Sequence, residues 1–395
     1  MSVRYFCGGR VVLPHSVATD LAVGVEGERI VSLLPRAEVP EGAQTVELDG
    51  AYLLPGFVDI HVHGGGGADF MDNTKEAMRT AARAHMEHGT TSLCPTTMTS
   101  PRHQLLACID TYLEVLREGT GGADFIGLHF EGPYLSGANT GAQPNGFFGI
   151  PTEAELAAIL DRGAGHIVRW DAAPELEGMD TFARMMRERG ILCSIAHSAA
   201  TAEQTLEAYA RGFTHITHMY CATTTEHKVG QVVHGGIIEA TYLEDGMTAE
   251  LIADGKHIPR ETMLLGFKLK GDNRLALVTD AMRAAGTDVT ESVLGGGECG
   301  VPVIVEDGVA KLPSRVSFAG SIATMDHALR TVHLKYGVPL CDTVRAMSLT
   351  PATLVGADKD KGSIAVGKHA DLVVMDDAFT VKRVFVRGEL RFSKV

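Results

Sequence analysis

Residues 57–66 read F-V-D-I-H-V-H-G-G-G. His61 and His63 lie two apart at the end of an apolar run, so on a strand both imidazoles face the same side. Such a pair suits a borderline cation such as zinc; buried histidines bonded to backbone are the plainer alternative. The same residue types recur along the chain. Glu131 closes D-F-I-G-L-H-F-E, with His129 one pleat below it, and His197 closes I-L-C-S-I-A-H. His218 falls in T-H-I-T-H-M-Y, and Asp280 closes R-L-A-L-V-T-D. Neutral imidazoles with one carboxylate hold a divalent cation and leave a place for water, whose pKa the cation lowers while it polarises a carbonyl. Asp280 is not needed to complete the His/Glu set. It is therefore the expected general base and acid, taking a proton from water and passing it to a departing amine. The chemistry this predicts is hydrolysis of an amide or a related C–N bond.

Such residues act together only if separate elements bring them to one place. Eight apolar segments read as strands: 56–63, 90–96, 124–131, 166–172, 191–197, 214–220, 248–254 and 274–280. Helical patterns lie between most of them. One over 74–89 stops at Gly89, one over 201–212 opens like a capping box, with Ser198 or Thr201 as cap and Gln204 three after Thr201, and one covers 342–354. Alternation of this kind predicts an α/β protein with a closed (β/α)8 TIM barrel, whose C-terminal rim carries the chemistry. An open doubly wound sheet is the alternative, but it gathers polar residues at one switch point. Both chain ends are β-rich and punctuated by glycine. We therefore expect a small β-sandwich domain from residues 1–55 and 362–395, with the hydrolase barrel, 56–361, inserted between them.

Composition sets wider bounds. The 395 residues are 45% hydrophobic and 21% charged, a folded rather than a disordered chain. Forty-nine acidic against 35 basic residues give a formal charge of −14, which argues against nucleic acid as a partner. Seven scattered cysteines form no CxxC pair and suggest no disulfide framework. No segment has the apolar length of a signal peptide or a membrane span, so a cytoplasmic protein without membrane association is expected.

Other nucleophiles and cofactor motifs are missing. There is no G-x-S-x-G elbow, no Walker A motif and no G-x-G-x-x-G after a strand. The run Gly64–Gly67 is expected to let backbone pass close to a metal. By alternation Asp59 supports the two histidines, His215 faces the helices, and His129 sits behind the ligands. His85 and His88, on a helix, read as packing or surface residues. Ala319, Gly320 and Ser321 follow the last barrel strand and are expected at the substrate, with Gly320 and Ser321 presenting backbone N–H groups to it. V-P-V-I-V-E-D-G-V-A-K-L reads as a hairpin turning at Asp307–Gly308.

The motif P-G-F-V-D-I-H-V-H-G, with β-rich ends, resembles the amidohydrolase superfamily. Within it, H-F-E-G-P, A-H-S, T-H-M-Y, I-A-D-G-K-H and L-V-T-D-A-M resemble the N-acetylglucosamine-6-phosphate deacetylase family over almost the whole chain. The resemblance implies a principal metal site of Glu131, His197 and His218. It implies a second site at His61 and His63, with Glu131 bridging, so one or two divalent ions per chain. Zinc is expected, and iron, cobalt and manganese accept similar ligands. It further implies Asp280 as catalytic acid and base, His257 as a sugar contact, a homodimer with substrate sites completed across the interface, and an amino sugar as substrate. The expected reaction is deacetylation of N-acetylglucosamine 6-phosphate to glucosamine 6-phosphate and acetate.

Three departures touch the substrate grip. Where the family has Asn-Ala-Met after T-H-M-Y, this chain has Cys221-Ala222-Thr223. His227-Lys228 stands in place of an arginine motif that grips phosphate, and lysine lacks the guanidinium fork. The family's G-A-H becomes Gly141-Ala142-Gln143, which can donate a hydrogen bond but cannot carry a proton. Deacetylation of another N-acyl amino sugar, hydrolysis of a cyclic amide or an N-acyl amino acid, and a non-catalytic metal-stabilised scaffold remain rival readings.

Overall fold

The computed structural model describes residues 2–394. Strands from the two chain ends form two stacked sheets. One runs, in spatial order, Arg29–Pro35, Leu21–Glu26, Arg4–Cys7 and Gln44–Glu47; the other runs Glu389–Ser393, Val381–Val386, Leu372–Met375, Tyr52–Pro55, Arg10–Val12 and Val17–Ala18. The second sheet is apolar on both faces, and its alternation shows why. Leu53, Leu372 and Val374 pack with Phe6, Val23 and Phe385 between the sheets. Leu54, Val373 and Met375 join the core of the rest of the molecule. This sheet is thus a shared wall.

All eight predicted barrel strands form. They are β1 (Phe57–Val62), β2 (Thr90–Thr97), β3 (Leu128–Glu131), β4 (Ile167–Ala172), β5 (Leu192–Ile195), β6 (His215–Ile216), β7 (Thr248–Ile252) and β8 (Leu275–Val278). Neighbours pair in parallel from β1 round to β8. The β8–β1 seam has no continuous ladder and closes at its upper end. There Asp280 N–H donates to the His61 carbonyl at 3.0 Å, and His63 and Gly64 N–H donate to the Ala281 carbonyl. The barrel is therefore near-closed, and its seam is tied by the residues expected to do chemistry.

Three expectations needed adjustment. The strand expected over 124–131 is two pieces, Asp124–Phe125 and Leu128–Glu131. Between them Gly127 has φ +145, and a Cβ there would lie 2.3 Å from the Val168 side chain, so only glycine permits the step. The helix expected over 342–354 is also two, Leu340–Ala346 and Leu349–Leu354. Pro351 has no N–H for the Met347 carbonyl, and Val58 N–H takes that carbonyl instead, at 2.9 Å. The glycine run makes a tight hairpin, with Gly64–Gly65 pairing Ala68–Asp69 around Gly66 and Gly67 at positive φ. A Cβ on Gly64 would meet the Ala68 carbonyl at 2.2 Å, so the turn itself demands the glycines. The Thr201–Gln204 capping box and the Asp307–Gly308 hairpin turn form as expected.

Candidate metal centre

His197, His218 and Asp280 each lie two residues past a strand end, and each has left-handed backbone, with φ of 44°, 28° and 48°. This conformation is strained for a residue with a Cβ and is found where function requires it. It swings all three side chains over the barrel mouth, toward those carried by β1 and β3. Alternation stops there, so His215 was misjudged. It does not face the helices. His215 Nδ1 meets Thr248 Oγ1 at 2.8 Å, and its Nε2 lies 3.5 Å from Glu250 inside the barrel.

Glu131 stands at the centre. Its Oε1 is 3.0 Å from both His197 Nε2 and His218 Nε2. Its Oε2 faces His63 Nε2 at 3.3 Å and His61 Nε2 at 3.9 Å. Across from it, Asp280 Oδ1 is 3.3 Å from His63 Nε2 and 3.4 Å from His61 Nε2. Among the described residues two donor sets are compact enough to surround an ion: His61, His63 and Asp280, and His61, Glu131 and His218. One carboxylate thus offers each oxygen to a different pair of imidazoles.

The donor chemistry fits a cation. His197 Nδ1 is 3.0 Å from the Asn139 carbonyl and must donate to it, which makes Nε2, facing Glu131, the atom that a cation would take in place of a proton. His61 Nε2 is buried without a hydrogen-bond partner and points into the same space. Burial opposes charge on the imidazoles, yet the Glu131 and Asp280 carboxylates override it. His218 is pushed up to about 9 and His63 well above its usual value. Burial likewise opposes charge on Glu131, and the bonds from His197, His218 and His63 outweigh it to hold that carboxyl well below the usual range. The pocket demands positive charge, and protons meet that demand where a cation is absent.

His63, Glu131, His197, His218 and Asp280 line a cavity of about 280 Å³, at the small end for organic ligands. Ala142, Gln143, Cys221, Ala222, His257 and Gly320 also reach it. Gln143 uses its amide on the protein: Nε2 donates to Glu131 Oε2 at 2.5 Å, and Oε1 accepts Thr99 N–H at 3.0 Å. His257 Nδ1 is 2.7 Å from Asp254 Oδ2, and its ring stands edge-on to Phe318. Ala319 and Ser321 do not present N–H groups to the cavity. The first donates to the Ala310 carbonyl and the second to the Asp280 carbonyl, so these N–H groups pin the loop. His227 and Lys228 lie away from the cavity, on an exposed hairpin of His227–Val229 and Val232–His234.

His129 has both nitrogens engaged, with Thr96 Oγ1 at 3.1 Å and Asp171 Oδ2 at 2.8 Å, which leaves none for a cation. Asp59 accepts from Thr279 Oγ1 at 2.5 Å and supports β1, with burial raising its carboxyl to about 7. His85 is a packing residue, its Nε2 bonded to the Gly64 carbonyl. The sequence reading missed Arg169, Asp171 and Glu250, all fully buried beneath the site. A signal existed: in H-I-V-R-W-D-A and T-A-E-L-I-A-D, charged residues stand at alternate positions of otherwise apolar barrel strands.

Residues 52–391 match the model of the Amidohydrolase family. The chain is 30% identical to an N-acetylglucosamine-6-phosphate deacetylase of Vibrio furnissii, over 98% of this chain and 95% of the relative. It is 32% identical to an N-acetylgalactosamine-6-phosphate deacetylase of Escherichia coli O157:H7, over 92% and 93%. Its structure is similar to that of N-acetylglucosamine-6-phosphate deacetylase from Pasteurella multocida, with a TM-score of 0.92 at 30% identity, covering 99% of this chain and all of the other.

Proposed function

Since this chain belongs to the amidohydrolase family, as a divergent member of its amino-sugar-6-phosphate deacetylases, we propose that it hydrolyses the acetamido group of N-acetylglucosamine 6-phosphate. One observation carries the reading: Glu131 stands between two pairs of imidazoles, with Asp280 across the space they enclose. Glu131, His197 and His218 would hold one cation, and His61 and His63 a second against the other Glu131 oxygen. We favour zinc, which suits imidazole and carboxylate donors. Such an ion, when bound, polarises the acetyl carbonyl and acidifies water.

The chain's own residues do the rest. Burial works against charge on Asp280, but His61, His63 and His218 outweigh it and keep the carboxyl below its usual range, so it is ionised and fit to accept a proton. Asp280 takes that proton from the attacking water and returns it to the amide nitrogen as the C–N bond breaks. A C–O bond forms in its place, and acetate leaves beside the free amino sugar phosphate. Asp254 fixes the Nδ1–H of His257, so Nε2 faces the cavity as an acceptor for a sugar hydroxyl.

The phosphate needs a cation that the cavity lacks, because no lysine or arginine lines it among the described residues. We assign that role to His227 and Lys228 of a second copy. Their hairpin carries Val229, Val232 and Val233 more than half exposed, as an arm that docks on a partner would. A homodimer is therefore part of this proposal. So is the division into a barrel of residues 56–361 and a β domain of 1–55 and 362–395. No helix among the described residues is long and apolar enough to cross a membrane. A cytoplasmic location is supported by seven unpaired cysteines.

Acetate release on a panel tests the reading: N-acetylglucosamine 6-phosphate, its galacto epimer, unphosphorylated N-acetylglucosamine and N-acetyl amino acids, each with and without added zinc. Preference for the first supports it. Preference for the epimer moves the specificity, and preference for the unphosphorylated sugar removes the phosphate role from Lys228. Turnover of the amino acids alone contradicts the reading.

A further inference from the structure

Beneath the proposed ligands lies a layer of buried charge that the reaction above does not use. Arg169 is fully buried, and its guanidinium donates to both oxygens of Glu250 at 2.5 and 3.0 Å, to Asp171 Oδ1 at 3.1 Å and to Thr217 Oγ1 at 2.7 Å. One cation thus serves two carboxylates drawn from β4 and β7. A buried ion network adds little net stability over well-packed apolar groups, so its presence calls for another reason.

The carboxylates supply one, because each reaches an imidazole. Glu250 Oε1 is 2.6 Å from His61 Nδ1 and also takes the His218 backbone N–H at 3.1 Å. Arg169 donates to both Glu250 oxygens, the pairing of a guanidinium with a carboxylate. A carboxylate is acceptor only, so the proton shared with His61 belongs to Nδ1. His61 Nε2 is then bare, and it is the atom buried without a partner and aimed at Glu131 and Asp280. Asp171 makes the equivalent contact with His129, which has no free nitrogen, so the layer contains its own control.

We propose that Glu250, locked by Arg169, is a positioning residue that fixes His61 in its ligating tautomer and thereby sets the affinity of the His61–His63 cation site. The inference rests on the metal reading given above. It concerns the layer beneath the ligands rather than the ligands themselves.

Metal-free protein is titrated with zinc against a chromophoric chelator, and His61→Ala identifies which binding phase belongs to this site. Glu250→Gln keeps the shape and one acceptor but removes the charge. It is expected to weaken that phase about 10- to 100-fold, the usual range for a partner behind a ligand. Asp171→Asn, in the same layer, should leave the phase within about threefold. Nitrogen-15 NMR of the metal-free wild type should show His61 as the Nδ1–H tautomer. An unchanged phase in Glu250→Gln, an equal loss in Asp171→Asn, or an Nε2–H tautomer each overturns the proposal. Should Glu250→Gln fail to fold, Arg169→Lys loosens the same clamp by removing the guanidinium fork. It should weaken the same phase, and no change there overturns the proposal equally. Wild-type protein that takes up no zinc would instead sink the metal reading, while the tautomer measurement would still judge the clamp.

Discussion

Asp280 Oδ1 lies 3.3 Å from His63 Nε2, on the far side of the barrel mouth from the Glu131 oxygen that bonds His197 and His218. A carboxylate so placed borders the cation positions while keeping an oxygen for a proton. We expect Asp280→Asn to lower turnover about 10²- to 10⁴-fold, the usual worth of a general acid–base group. Its metal content should stay at the wild-type level. Acetate release and elemental analysis on the same sample check both, and turnover within a few-fold of wild type would remove Asp280 from the mechanism.

Glu131 serves the two imidazole pairs with different oxygens, so the pairs should be separable. His63→Ala should lose one ion per chain from a two-ion protein and keep the other. His218→Ala should lose the ion held with Glu131 and His197 and fall to background activity. Ions per chain, measured after gel filtration, give the answer. Loss of every ion in both variants would mean a single shared site.

How far these residues could be read from sequence depended on how regular the backbone is. Strand periodicity located all eight barrel strands, and the HxH pair at the end of β1 followed directly from it. The same rule failed at His215, because the chain leaves extended geometry before His218 and the two side chains end on one side of the wall. Left-handed backbone at His197, His218 and Asp280 has no local signal of the kind glycine gives at Gly127. Arg169, Asp171 and Glu250 were hidden for another reason. Three charges on β4 and β7 make sense only when folding closes the barrel: Arg169 and Asp171 lie two apart, but Glu250 meets Arg169 and His61 only across the barrel.

The metal-free protein should lose stability as pH rises. Burial disfavours the charged His218 ring, but Glu131 outweighs it, and its pKa rises from 6.5 to about 9. A group raised on folding contributes stability that is present in full below the unfolded value and is lost as pH climbs through the folded one. Tm of the metal-free protein is therefore expected to fall between about pH 6.5 and 9, and to fall less once zinc is added. Scanning calorimetry on both forms checks this; equal slopes would mean that cation and proton do not compete for the same groups.

The exposed hairpin gives a prediction about specificity. Lys228→Ala should raise KM for N-acetylglucosamine 6-phosphate about tenfold or more, with little change in kcat and none in the KM for the unphosphorylated sugar. A phosphate held by lysine contributes a charge-assisted bond of this size. An unchanged KM for the phosphorylated substrate would show that another cation meets the phosphate.

Removal and return of metal tests the central claim most directly. Protein purified without chelators should hold one or two divalent ions per chain, and it should release acetate from N-acetylglucosamine 6-phosphate. Stripping the ions should abolish that release, and stoichiometric zinc should restore it. Full turnover by protein shown to hold no metal would contradict the account.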